Sequence, residues 1–194
     1  MEHIAWNPVS SLFQSAKQVQ DLIKRADDNQ ETKRLINKFR TLKETRIPFY
    51  LTIEDFDEIL RWKLRQQYGR QSKYREHNTN HNVRAITQTA FAIHHSDKDY
   101  ETELRLKLLI TLSGVEVPVA SAIMTLCYPD QYSVIDFRNW RQIYRGSIEK
   151  NYFTPKEYIK YLSIIKQMAA NFKITPQEVD IAIWQYDIEN HGKE

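Results

Sequence analysis

"LSGVEVPVASAIMTLCYPDQYSVIDF", residues 112–137, carries the reading of this chain. In "LSGVEVP" only Gly114 turns without a Cβ penalty, and Val115 can plug the apolar space between two helices. Pro118 falls where the first turn of a helix tolerates a missing N–H. Ala120, Ser121 and Ala122 are small enough for close helix approach. Residues 104–126 therefore read as helix, turn, helix. The N–H groups that open the second helix lack intrahelical acceptors, and a phosphate suits them. The same pattern also fits a plain αα-corner in a bundle. Further on, Asp136 precedes the polar, aromatic "FRNWRQIY", as an N-cap does, with Val134, Ile135 and Phe137 around it.

Outward from this unit the periodicity stays helical. Val9, Leu12, Phe13, Ala16, Val19, Leu22 and Ile23 predict an amphipathic helix over about 9–26. "DDNQ" interrupts it, and Leu35, Ile36, Phe39 and Leu42 mark the next. "RIPFYLT" is an extended joint, since Pro48 disfavours helix at Ile47. Thr52 and Asp55 form a capping-box pattern before Ile53, Phe56, Ile59 and Leu60. Val83, Ile86, Ala90 and Ile93 mark another helix, and Leu104 to Leu112 one more. "TPKE" at 154–157 and "TPQE" at 175–178 each offer a Thr cap, a first-turn Pro and a Glu at the third position. Each opens a helix of roughly 16 residues by that pattern. No convincing strand alternation is present, so the fold is all-α. Residues 1–50 form an N-terminal helical segment and residues 51–194 the main helical domain, a bundle or two lobes around a cleft.

The chain has 194 residues, 41% hydrophobic and 27% charged, with 4 Gly and 6 Pro, the profile of a globular protein. No apolar run approaches the ~20 residues that span a bilayer, and "MEHIAWNPVSS" lacks a signal-peptide pattern. A single cysteine, Cys127, excludes an internal disulfide framework and a four-cysteine metal or cluster site. An intracellular, cytoplasmic protein follows, without membrane attachment. Net charge is only +3, but its distribution is uneven. "RWKLRQQYGRQSKYR", residues 61–75, holds Arg61, Lys63, Arg65, Arg70, Lys73 and Arg75 and no acid, with Trp62, Tyr68 and Tyr74 interleaved. Such a run suits phosphate neutralisation beside aromatic surfaces, or a solvated basic face.

"LSGVEVPVASAIM" and "VIDFRNW" resemble the helix-hairpin-helix DNA glycosylase superfamily, the relatives of endonuclease III and 8-oxoguanine DNA glycosylase. Their shared pattern is a Leu-x-Gly-Val-Gly hairpin, a small-residue helix, and a Val-Asp before another helix. In them a catalytic Lys in the hairpin often precedes the catalytic Asp by eighteen or nineteen residues; here Pro118 and Asp136 are eighteen apart. "RWK" at 61–63, "VRAITQTAFA" and "TPQEVDIAIWQYD" look like a bacterial branch of that superfamily that brings no tested chemistry with it. The resemblance implies double-stranded DNA as partner, a nucleoid-associated location if bacterial, and base excision in DNA repair without a cofactor or metal.

By that resemblance Asp136 is the catalytic residue. It would stabilise positive charge on the sugar and direct water as the base departs. DNA contacts fall on Ser113, Gly114, Val115, Glu116 and Val117 of the hairpin. They also fall on Arg61, Lys63, Arg65, Arg70, Lys73, Arg75, Arg138 and Arg141. Trp62 and Tyr68 are candidates for the base pocket, and Trp140 for the core. Three departures limit the likeness. Pro118 removes the lysine of bifunctional members, leaving a monofunctional or atypical glycosylase. Glu116 replaces the second hairpin glycine and sets a carboxylate where a phosphate would rest. Iron–sulfur cysteines are absent. A non-catalytic DNA-binding protein of the same fold, or a protein-interaction module, accommodates these departures. His77 and His81 sit in an Asn-rich loop without a zincin pattern, Lys107 is a weak replacement lysine, and Cys127 reads as a packed thiol.

Overall fold

Side-chain caps set most of the helix starts. The computed structural model describes residues 12–26, 29–70, 72–144, 150 and 152–192. Ser15 Oγ accepts the Gln18 amide at 3.2 Å and opens α1, Ala16–Arg25. The expected start near residue 9 lies outside the described residues. Helix α2 is Asn29–Thr45, and the Thr52/Asp55 capping box opens α3, Ile53–Leu64, as the sequence suggests. The extended joint between them includes a cis Ile47–Pro48 bond. Two 3-10 turns, Arg65–Gln67 and Ser72–Arg75, lead on to α4, Asn80–Ala92. Next come α5, Lys98–Leu109; α6, Val117–Cys127; and α7, Phe137–Ile143. The two "TP" boxes open α8, Pro155–Phe172, and α9, Pro176–His191. The described residues contain no strand, and none of their helices is long and apolar enough to cross a membrane.

Two starts differ from expectation, both through caps. Thr79 and Asn82 form a capping box, so "HNTNH" is not all loop: His81 lies in α4 and His77 before its cap. Helix α5 starts at Lys98, well before Leu104, because Asp97 accepts the Asp99 and Tyr100 amides at 2.9 and 3.1 Å.

Helix α6 is the post of the fold. Every residue from Val119 to Cys127 is buried, as an all-round apolar helix requires, and α2, α3 and α5 pack on it. Each fully buried Ile or Met there contributes roughly 1.5–3 kcal/mol. Helix α1 lies on α9, and α9 also packs on α7 and α8. Leu12 through Ile183 belong to one apolar cluster, so the described N-terminal helices share the core of residues 51–194. The helical arrangement leaves one extended strip, residues 132–136, between α6 and α7, and that strip carries Asp136.

Candidate functional site

An extended strip inside a helical core must find partners for its backbone groups. Here side chains supply them. Ser121 Oγ, at the centre of α6, accepts the Ile135 amide at 3.1 Å. From α8, the Tyr158 hydroxyl donates to the Ser133 carbonyl and the Tyr161 hydroxyl to the Val134 carbonyl, each at 2.9 Å. From α9, Asp180 Oδ2 accepts the Val134 amide at 3.4 Å. Three helices thus fix the strip that presents Asp136.

Asp136 divides its carboxylate between two tasks. Oδ1 accepts the Asn139 amide at 3.0 Å and caps α7. Oδ2 faces Lys63 Nζ, 3.3 Å away on α3. The two side chains keep 20% and 12% of their surface exposed, enough to meet a ligand. They line an open pocket of about 80 Å³. Trp62 and Trp184 form its aromatic walls, Arg65 adds a cation and Asp180 a second carboxyl, and Asn29 and Thr32 close one side. Trp62 is fixed by donating Nε1–H to Thr32 Oγ1 at 3.1 Å. Arg65 lies 4.7 Å over the Trp184 ring, with φ at 48°, a backbone conformation that side-chain-bearing residues seldom adopt.

Asp180 is the second carboxyl of the pocket. Its Oδ1 accepts the Asn139 side-chain amide. Burial pushes its carboxyl well above the usual carboxylate range and the charge of Asp136 adds to the effect, against Lys63 and the bonds from Val134 and Asn139.

The basic run joins this pocket to the hairpin. Two of its members, Lys63 and Arg65, line the pocket. At its far end Arg75 donates to the Tyr68 carbonyl at 2.6 Å and packs against the hairpin turn. Gly114 has φ +74, and a Cβ there would lie 3.1 Å from both Arg75 Cγ and the Tyr74 carbonyl. Asn78 clamps the turn, donating to the Ser113 carbonyl at 2.8 Å and accepting its amide at 3.0 Å. Arg70 and Lys73 are exposed on the intervening segment.

Several expected contacts are placed otherwise. Val115 and Val117 are buried core side chains, the Val115 amide bonds to Leu112 O at 3.1 Å, and the Ser113 amide serves Asn78. The hairpin therefore offers a phosphate fewer donors than its sequence suggests, and Glu116 is exposed at the head of α6 with no cap bond. Arg138 and Arg141 are engaged within the core. Both pair with the fully buried Asp187 of α9, at 2.9 and 2.6 Å, because that carboxylate needs cations inside the core. Tyr68 lies in a separate groove with Arg61 and Arg75, its ring flanked by their guanidiniums at 4.3 and 4.0 Å and its hydroxyl bound to Asp57. Arg61 itself pairs with Asp57 at 2.8 Å. Trp140 is buried, as expected, and Cys127 is a buried free thiol that burial pushes well up.

Asp180 and Trp184 were not singled out by the sequence. Their signal is an acid inside the apolar "VDIAIW", followed one helical turn later by tryptophan, which puts both on one face. Among the described residues no three His, Cys, Asp or Glu groups are placed to hold a metal ion. Compared with protein families, curated proteins and solved structures, the chain matches none.

Proposed function

We propose that this protein is a DNA N-glycosylase of the helix-hairpin-helix type, a base-excision hydrolase that releases an altered base from double-stranded DNA through Asp136. One observation carries the reading. Asp136 caps a helix with one oxygen and turns the other into a pocket walled by two tryptophans, at the head of a basic segment that runs to a glycine hairpin. Base removal needs a carboxylate near the sugar, aromatic walls for a base taken out of the stack, and cations along the backbone.

In this reading Asp136 stabilises the positive sugar and takes a proton from the attacking water. Lys63 holds Oδ2 in the resting site, and the phosphate of the extruded nucleotide competes for its ammonium. The pocket, about 80 Å³, holds water but not a base, since even benzene occupies a cavity of about 150 Å³. Arg65, exposed and laid over Trp184, is the wall that moves when a base enters.

A second reading is a DNA-binding protein of this fold without chemistry. It is favoured by the engagement of both Asp136 oxygens, in a cap and an ion pair. Duplexes that each carry one altered base separate the two. The enzyme leaves alkali-labile sites with the wild type and none with Asp136→Asn. Binding without any such site, across a broad panel of lesions, selects the second reading. Absence of binding at low salt leaves a protein-interaction module.

A further inference from the structure

Base release through Asp136 uses one carboxyl of the pocket and leaves the more deeply buried one without a task. Asp180 retains 8% of its surface and lines the same pocket as Asp136. Asn139 links them: its backbone N–H donates to Asp136 and its side-chain amide to Asp180. The two carboxyls therefore act from one rigid joint in different surroundings. Asp136 has a cation at 3.3 Å, whereas Asp180 has only neutral hydrogen-bond partners.

We infer that Asp180 is the acid of this pocket, holding a proton in the resting protein and giving it to the departing base, so that the substrates are uncharged bases. The inference rests on the glycosylase reading of the same site. An uncharged base leaves with the electron pair of the C1′–N bond and needs a proton on its ring; a base already cationic, such as N7-methylguanine, leaves neutral without one. The balance is simple. The C1′–N bond breaks, its electron pair goes to the base, and the Asp180 proton joins that base. A water oxygen forms the new bond to C1′, its proton goes to Asp136, and exchange with solvent restores Asp180.

The surroundings of Asp180 suit a proton: it is buried in the wall of the pocket, no cation pairs with it, and its partners, the Val134 amide and the Asn139 side-chain amide, are neutral. Burial and the charge of Asp136 both favour the protonated form, and Lys63 opposes it. The other titratable groups around the site are Arg65 at the end of α3 and Tyr158 and Tyr161 of α8. Ala26, which caps the end of α1, and Asn29 and Thr32 of α2 add no titratable group to the lining. Splitting the protonation of two neighbouring carboxyls between acid and base is how one site runs both chemistries at neutral pH.

The test has two arms. In the first, carbon-13 NMR of the whole chain, labelled at aspartate carboxyls, is followed against pH. One resonance that is missing from Asp180→Asn should keep its acid-form shift at pH 7; titration in the ordinary carboxylate range overturns the inference without any DNA. In the second, Asp180→Asn should slow release of an uncharged altered base about 100-fold or more. It should also remove the alkaline limb of the pH profile and slow the uncharged base far more than N7-methylguanine. An equal loss on both bases, or an unchanged rate on the uncharged one, overturns it. A wild type that releases no base from any duplex refutes the glycosylase reading itself, and a protonated Asp180 in the first arm then marks that failure as one of function and not of protonation.

Discussion

At the scale of single residues the decisive feature is Asp136, whose two oxygens make separable contributions. Asparagine caps helices as well as aspartate does, so Asp136→Asn keeps the cap and loses only the partly exposed pair with Lys63, a cost of about 1 kcal/mol, while abolishing base release. Asp136→Ala removes the cap as well, and should cost about 1 kcal/mol more. Thermal denaturation beside a base-release assay separates the two effects; a large stability loss in Asp136→Asn would reduce the residue to a structural cap. Asp180 makes a stability prediction of opposite sign to that of most buried carboxylates. Its folded form binds a proton more tightly than the unfolded chain does, so folding takes up that proton once pH exceeds the unfolded value of about 4. Stability from this group is complete below that pH and declines as pH rises toward the elevated folded value. Asp180→Asn has no such slope, and should gain stability relative to wild type from about pH 4 upward, as urea titrations across pH would read. A constant difference between the two proteins would mean that folding leaves the affinity of Asp180 for its proton unchanged.

At the scale of elements, the site is held by a strip that no periodicity identifies. Ser121 reads in sequence as one of three small residues that let helices approach. Its hydroxyl also holds the Ile135 amide inside the core. Ser121→Ala should therefore cost about 1–3 kcal/mol, the penalty of an unsatisfied buried donor, although it removes one oxygen from a helix interior. The hairpin turn is more exacting. Gly114 needs both a positive φ and open space beside Tyr74 and Arg75, so Gly114→Ala should destabilise by about 1–3 kcal/mol and loosen the end of the basic run. Urea denaturation measures both variants. Legibility follows the same division. The helices that open on Thr52, Thr154 and Thr175 were readable because a cap, its box partner and the apolar repeat lie within one turn of sequence. The start of α5 at Lys98 was not, because its Asp97 cap precedes a polar first turn with no apolar repeat. Asp136 was readable as a cap from the polar "FRNWRQIY" that follows it. The Lys63–Asp136 pair, the Asp180 carboxyl and the Trp184 wall were not, since they meet only when α3, α7 and α9 pack across long separations in sequence, 73 residues for the Lys63–Asp136 pair.

At the scale of the whole molecule, the arginines near Asp136 and those of residues 61–75 have different duties, although sequence alone cannot tell them apart. Arg138 and Arg141 neutralise Asp187, which has no exposed surface, and a carboxylate in that position needs its cations to stay folded. Arg70 and Lys73 are exposed on the segment of chain that leads from the pocket to the hairpin, and the glycosylase reading assigns them to the phosphate backbone. The two groups should therefore respond to different measurements. Replacing Arg70 and Lys73 together by glutamine should leave the melting temperature almost unchanged and weaken duplex binding irrespective of sequence. It should reduce the slope of log affinity against log salt by about 2, one for each cation withdrawn from the phosphate backbone. Arg138→Met should leave that slope unchanged but cost roughly 3 kcal/mol of stability, the penalty of stripping a buried carboxylate of a partner. If instead the Arg70 and Lys73 variant bound with the wild-type slope, DNA would not cross this face. The basic run would then be a solvated surface, and the pocket at its head would have to serve a ligand other than a duplex.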